Sequence, residues 1–231
     1  MRLRMRLRGR KPRLIAAAAA VLLPHGARRW VHNRLLGADI HSTARIGRSL
    51  VDVDRLVLGP HAAIASCSVI RGCEEVDLAE EAVIGPLVWV NAVRRDKHYF
   101  AEQPLRRPVL RLKRAALISC LHMVDCCDLV EIGAYSGLAG FGSQVMTHTV
   151  DIVRLKQVAK PVIVGDHALV STSSVLLPGA VVPDNAVVSA GSVVKGPLAE
   201  GHTLYEGVPA VAKRSLSPQL AFFHRAVADI R

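Results

Sequence analysis

The sequence predicts a mainly β chain wound as a parallel β-helix of six-residue repeats, and three observations carry that prediction. Residues 164–195 read in sixes as VGDHAL, VSTSSV, LLPGAV, VPDNAV and VSAGSV, followed by VK. An aliphatic residue opens each hexad (Val164, Val170, Leu176, Val182, Val188, Val194), and the fifth place is always small (Ala168, Ser174, Ala180, Ala186, Ser192). Side chains of a strand alternate faces, so the fifth place and the next opener point the same way, into a narrow interior. The composition agrees: 51% of the chain is hydrophobic but only 4% is aromatic. A short fixed period cannot bury a core within one repeat, and stacking the repeats into coils makes that core continuous.

The chain has 231 residues, enough for one sizeable domain with appendages. Its net charge of +11 is local, because the first 50 residues hold 12 Lys and Arg against Asp39 alone. From residue 51 onward the charges cancel, which argues against a nucleic-acid footprint, and no helix-turn-helix, zinc-finger or aromatic RNA platform is present. The cysteines (Cys67, Cys73, Cys120, Cys126, Cys127) are odd in number and form no CxxC pair, so a reducing, cytoplasmic setting is expected.

Taken in order, residues 1–37 form a basic tail and an N-terminal helical segment. Arg alternates with apolar residues over 1–13, and the apolar run 14–23 ends at Pro24. Ten residues fall well short of the ~20 that span a bilayer, and no cleavage signal follows. Residues 1–13 read first as a disordered basic tail, and the second reading for residues 1–36 is peripheral contact with an anionic membrane at its inner face. Residues 27–36 read as a short amphipathic helix.

The solenoid domain is expected over 38–214. Early hexads open at Ile40, Ile46, Leu58, Ile64, Ile70, Leu78 and Ile84. The step of 20 from Leu58 to Leu78 implies a two-residue insertion near Val76 and Asp77. Residues 94–116 hold eight basic residues, two acidic ones, Pro104 and Pro108, which reads as a loop extruded from one corner. The pattern returns near Leu117 and is clear at Ile132 and Leu138. A second excursion covers 149–160, and residues 196–214 leave the coil as a loop. A capping helix is expected over 215–231, with Ser217 as N-cap, Pro218 in the first turn, and Leu220, Phe223 and Val227 on one face.

Of ten histidines, His61 and His167 fall on the fourth, turn place of their hexads, and His25, His32 and His224 lie in the appendages. His148 closes a strand just before a loop. Acyl transfer from a thioester needs a base to take a proton from the acceptor, and an imidazole titrating near neutrality suits that task. His122, Asp125 and Asp151 are candidates to orient that imidazole or to bind the acceptor.

The clean hexads, the Thr147-His148 pair and the phrase Pro161-Val162-Ile163-Val164-Gly165-Asp166 after a loop resemble the hexapeptide-repeat acyltransferases, in the maltose, colanic-acid and streptogramin acetyltransferase branches. The resemblance covers roughly residues 40–214 and is strongest over 130–214. It implies a left-handed coil, with Val164 under Val182 and Val170 under Val188, and a homotrimer with active sites between subunits. It also implies acetyl-CoA as co-substrate, no metal, His148 as general base, and a sugar hydroxyl of a polysaccharide precursor or glycosylated small molecule as acceptor. Thr172 and Ser189 would line the pantetheine arm, with Lys195, Lys213 and Arg214 toward the coenzyme's phosphates. Three positions depart from the family pattern: Gly196 stands where the family has Lys, Val208 where it has Asn, and Val211 where it has Arg. Those departures favour a non-catalytic scaffold as the alternative. A γ-carbonic-anhydrase-like zinc enzyme is the more distant one, since His122, His148 and His167 do not stack in multiples of 18.

Overall fold

The computed structural model describes residue 7 and residues 9–95 and 99–227. Most of the basic tail (residues 1–6 and 8), residues 96–98 of the expected loop and the end of the expected C-terminal helix (228–231) lie outside the described residues. The rest winds into a parallel β-helix with three faces. Inward residues stack in register along each face. The first carries Ile40, Leu58, Leu78, Leu112, Ile132, Val164 and Val182. The second carries Ile46, Ile64, Ile84, Ile118, Leu138, Val170 and Val188. The third carries Val51, Ile70, Val90, Val124, Val145, Leu176 and Val194. All are buried, and the small fifth-place residues 168, 174, 180, 186 and 192 are buried beside them. Val164 pairs with Val182 and Val170 with Val188, as the resemblance implies.

The corners take the left-handed backbone region that most L residues avoid, His61 at φ +58° and His167 at φ +54° among them. The extra residues of the early coils sit at the corner between the third and first faces, at Gly72, Cys73 and Glu74. Val76 and Asp77, the sequence-based location, lie instead in a paired strand, Glu75–Leu78.

Both large excursions leave from that same corner. The first is shorter than expected, because Val109–Leu112 already forms a strand of the first face with Leu110 and Leu112 fully buried. Arg111, between them, points outward to Glu131 at 3.2 Å, which hides the alternation inside a basic stretch. The second excursion is an antiparallel hairpin, His148–Asp151 with Lys156–Ala159. Between the coils that emit these excursions lies one intermediate coil, whose strand Met123–Asp125 runs into the same corner.

Each end of the solenoid is covered. At the start, α1 (Arg10–Leu22), α2 (His25–Val31) and a π-helical turn (His32–Leu36) pack over the first strands of the three faces. Pro24 separates the two helices. Arg28 is buried, and its guanidinium donates to the carbonyl of Ile46 at 2.7 Å, to Ala20 at 3.1 Å and to Leu23 at 2.6 Å. At the far end the expected loop 196–214 contains a hairpin, in which Thr203–Glu206 adds to the second face beside Val187 and Val188 and Val211–Ser215 folds back on it. The helix expected over 215–231 is, in the described residues, one 3-10 turn, Ala221–His224. Side-chain anchors hold the segment along a corner instead: Phe223 meets His202 edge-on at 5.0 Å, and Arg225 donates to the Tyr135 carbonyl.

Candidate active site

The corner that emits both excursions brings together residues far apart in sequence. Asp125 ends a strand of the third face, and His148 starts the hairpin one coil further on. His148 Nδ1 lies 2.7 Å from Asp125 Oδ2. The same oxygen accepts from the backbone amides of Thr147 (2.9 Å) and His148 (3.0 Å), and the Thr147 hydroxyl lies 2.9 Å from it. Burial would raise the Asp125 pKa, but hydrogen bonds from His148, Cys127 and Thr147 more than offset it and hold the carboxyl below its usual range. An ionised carboxylate only accepts, so the imidazole proton sits on Nδ1 and the Nε2 lone pair is left open. No described residue takes a hydrogen bond with Nε2, and the His148 side chain is 32% exposed. The Asp125 hydrogen bond raises the imidazole's pKa, against burial and the charge of Arg106.

The excursions wall this pair. Phe100, buried, stands edge-on to His148 with ring centroids 6.1 Å apart. Arg106, also buried, lies over the Phe100 ring at 4.0 Å. Its guanidinium donates to the carbonyls of Val93 (2.6 Å), Cys127 (2.8 Å) and Arg94. Gln103 grips the hairpin, donating to the Ala159 carbonyl at 3.0 Å and accepting from its amide at 2.5 Å. Ala159 is the hairpin partner of His148, so these contacts tie the first excursion to the hairpin that carries the imidazole. Tyr99, Glu102, Leu155, Lys156 and Gln157 line a cleft of about 220 Å³ between the two excursions, crossed by a Lys156–Glu102 ion pair.

Ligand atoms of Asp125, Cys127 and His148 lie within 4.8 Å of one another. Burial, together with the Asp125 charge, pushes the Cys127 thiol up to about 12. A thiol kept protonated is a poor nucleophile, so Cys127 stands as a structural thiol beside the Asp125–His148 hydrogen bond.

The remaining candidates separate. His122 corrects its expectation as an acceptor contact. It is fully buried in the column of inward fifth-place residues, and its Nδ1 accepts from the Ser143 amide at 3.1 Å. Asp151 accepts from the amides of Val153 and Arg154, both at 3.0 Å, and so shapes the hairpin turn. It lies three residues from His148 along the strand, about 10 Å at strand rise. Thr172 and Ser189 come to one edge, between the second and third faces. There the Thr172 carbonyl accepts from Gly191 at 3.0 Å, and the Thr172 hydroxyl donates to the Phe141 carbonyl at 2.7 Å. Lys195 is exposed at the corner between the third and first faces, and Lys213 and Arg214 are exposed on the outermost strand of the second face. Sequence reasoning missed Phe100, Gln103 and Arg106, since nothing sets Arg106 apart from seven other basic residues nearby.

Comparison with solved structures places this architecture. AntD, an N-acyltransferase from Bacillus cereus in complex with dTDP and 3-hydroxybutyryl-CoA, superposes with a TM-score of 0.52 at 14% identity, over 80% of this chain and 87% of that one. A mutant of AntD with dTDP and coenzyme A gives a TM-score of 0.51 at 14% identity, over 80% and 88%. The chain shares the fold of these structures, a left-handed parallel β-helix. The hexapeptide-repeat-containing acetyltransferase VCA0836 from Vibrio cholerae aligns over 90% of both chains at 16% identity with a TM-score of 0.47. No protein-family model and no curated protein matches the chain. At these identities the likeness is one of fold.

Proposed function

We propose that this chain is an acyl-CoA-dependent O-acetyltransferase acting on a carbohydrate hydroxyl, with His148 as general base. The observation that carries the reading is the Asp125–His148 pair, which leaves Nε2 free at a half-open corner walled by two excursions. The acceptor oxygen attacks the thioester carbonyl while Nε2 takes its proton. The tetrahedral intermediate expels the coenzyme thiolate, and the imidazolium returns the proton to that sulfur, giving an acetyl ester and free coenzyme A. Asp125 holds the tautomer and offsets the positive charge that forms on the ring. The Phe100 and Arg106 wall shapes the acceptor side.

In this reading coenzyme A would run along the edge of Thr172 and Ser189, with Lys195, Lys213 and Arg214 toward its phosphates. That edge and the His148 corner flank opposite sides of the third face, so one protomer does not join them along a single corner. A homotrimer packed on that face would bring the edge of one copy to the corner of the next. The apolar outer surface there supports such packing: Leu87, Trp89, Leu121, Met123 and Phe141 are each 52–58% exposed, and Trp89 pairs directly with Met123. Five free cysteines fit a cytoplasmic setting.

Transfer to a sugar amine is the second reading, supported by AntD, an N-acyltransferase of the same fold. Thiol release from acetyl-CoA with a panel of sugars, nucleotide sugars and amino sugars tests both. Acceptor-dependent release is expected, and His148→Ala should lower it by roughly 10²–10⁴. Near wild-type transfer by that variant would overturn the base assignment, and failure to bind coenzyme A would bring the scaffold reading forward.

A further inference from the structure

The N-terminal cap has two faces. With about 100° of turn per residue, Ala17 and Ala20 centre one side of α1, and both are 1% exposed against the solenoid end. Arg13, on that side, donates to the Val53 carbonyl at 3.1 Å. The opposite side carries Lys11, Ile15, Ala18, Ala19 and Leu22, all exposed, Ile15 by 69% and Leu22 by 84%. On α2, packed beside it, Trp30 is 55% exposed. A helix covering a solenoid end gains nothing from an outward row of this kind.

The charges are equally out of place for a helix that serves only as a cap. Residues 1–36 contain ten Lys and Arg and no Asp or Glu. Arg10, Lys11 and Arg13 occupy the first turn of α1, which has no acidic residue and no side-chain cap. Cations at a helix N-terminus oppose its dipole; Arg10 shares a pocket with Asp54 and Arg13 reaches backbone carbonyls, whereas Lys11 faces outward. No helix among the described residues is long and apolar enough to cross a membrane.

We infer that the outward face of the cap docks on an anionic lipid bilayer, with Ile15, Leu22 and Trp30 entering the interface and Lys11 meeting lipid phosphates. An apolar row with an interfacial Trp, flanked by cations without acids, is the chemistry that an anionic bilayer surface selects. The cap lies over the first strands of the solenoid, and His148 belongs to a later coil. It requires no acyl-transfer activity, so it stands apart from the proposed function.

The test is flotation of the full chain with vesicles of phosphatidylcholine alone and of phosphatidylcholine mixed with phosphatidylglycerol. Co-flotation is expected with the anionic vesicles only, weakening as salt is added. Ile15→Glu combined with Leu22→Glu should cut the bound fraction at least tenfold, while thermal unfolding stays within a few degrees because both side chains are exposed. Absence of flotation with anionic vesicles overturns the inference, as does flotation unchanged in the double variant. Light scattering covers the other occupant: if the double variant lowers the oligomeric mass instead, the face joins copies of this chain and the bilayer assignment is wrong.

Discussion

The Asp125 carboxylate and the His148 imidazole meet at 2.7 Å across 23 positions of sequence. Two consecutive coils bring them together, because both leave the third face at the same corner. The base works only when neutral, and Asp125 holds its pKa above the ordinary imidazole value of about 6.5. The kcat/KM for acceptor should therefore rise with pH along a limb lying above that value. Asp125→Asn removes the cause, so the limb should move to lower pH, and the plateau should fall because the tautomer is no longer fixed. A limb that stays in place in this variant would uncouple the two residues.

Arg106 should act on acceptor binding rather than on the coenzyme. Its guanidinium joins carbonyls of Val93, Arg94 and Cys127 and covers the Phe100 ring that faces His148. Arg106→Met leaves those carbonyls without their donor, at a cost on the order of 2 kcal/mol or more. The expected signature is a lower Tm and a raised KM for acceptor, with the KM for acetyl-CoA unchanged. Arg106→Lys should restore part of the stability but not the acceptor KM, since an ammonium lacks the planar fork. Equal effects on both KM values would mean that the residue serves the fold alone.

Gly133 offers a test of the coil spacing. A Cβ built there would stand 2.3 Å from the backbone of Gly165 in the next coil, with no flexible side chain to give way. Gly133→Ala should cost on the order of 3 kcal/mol in urea unfolding. A neutral substitution would show that neighbouring coils separate more easily than this contact implies.

Much of this was written in the sequence, and the repeat explains why. Each hexad states which residues face inward, and the three-hexad coil that the resemblance implies gave Val164 and Val170 their neighbours in the next coil. His122 was legible too, had the hexad been phased from Ile118: that phase puts His122 in the fifth, inward place. The strand Val109–Leu112 was obscured because its outward residue, Arg111, looks like part of a basic loop. The wall of Phe100, Gln103 and Arg106 had no readable period, since its contacts reach Ala159 and Cys127 through the tertiary fold. The Asp125–His148 pair lies between these cases. Its residues were named as candidates, but their meeting follows from the corner geometry.

The buried guanidinium of Arg28 has a consequence for assembly. A stack of parallel coils carries unpaired carbonyls and amides at its first turn, the same groups by which any further coil would add, including a coil of another molecule. Arg28 occupies one of them, the carbonyl of Ile46, and α1, α2 and the π-helical turn lie over the first strands. The hairpin from Thr203 to Ser215 closes the second face at the opposite end with an antiparallel strand, which breaks the parallel register. A chain built this way has a fixed number of coils and two blunt ends, and is thereby kept from growing into a fibre.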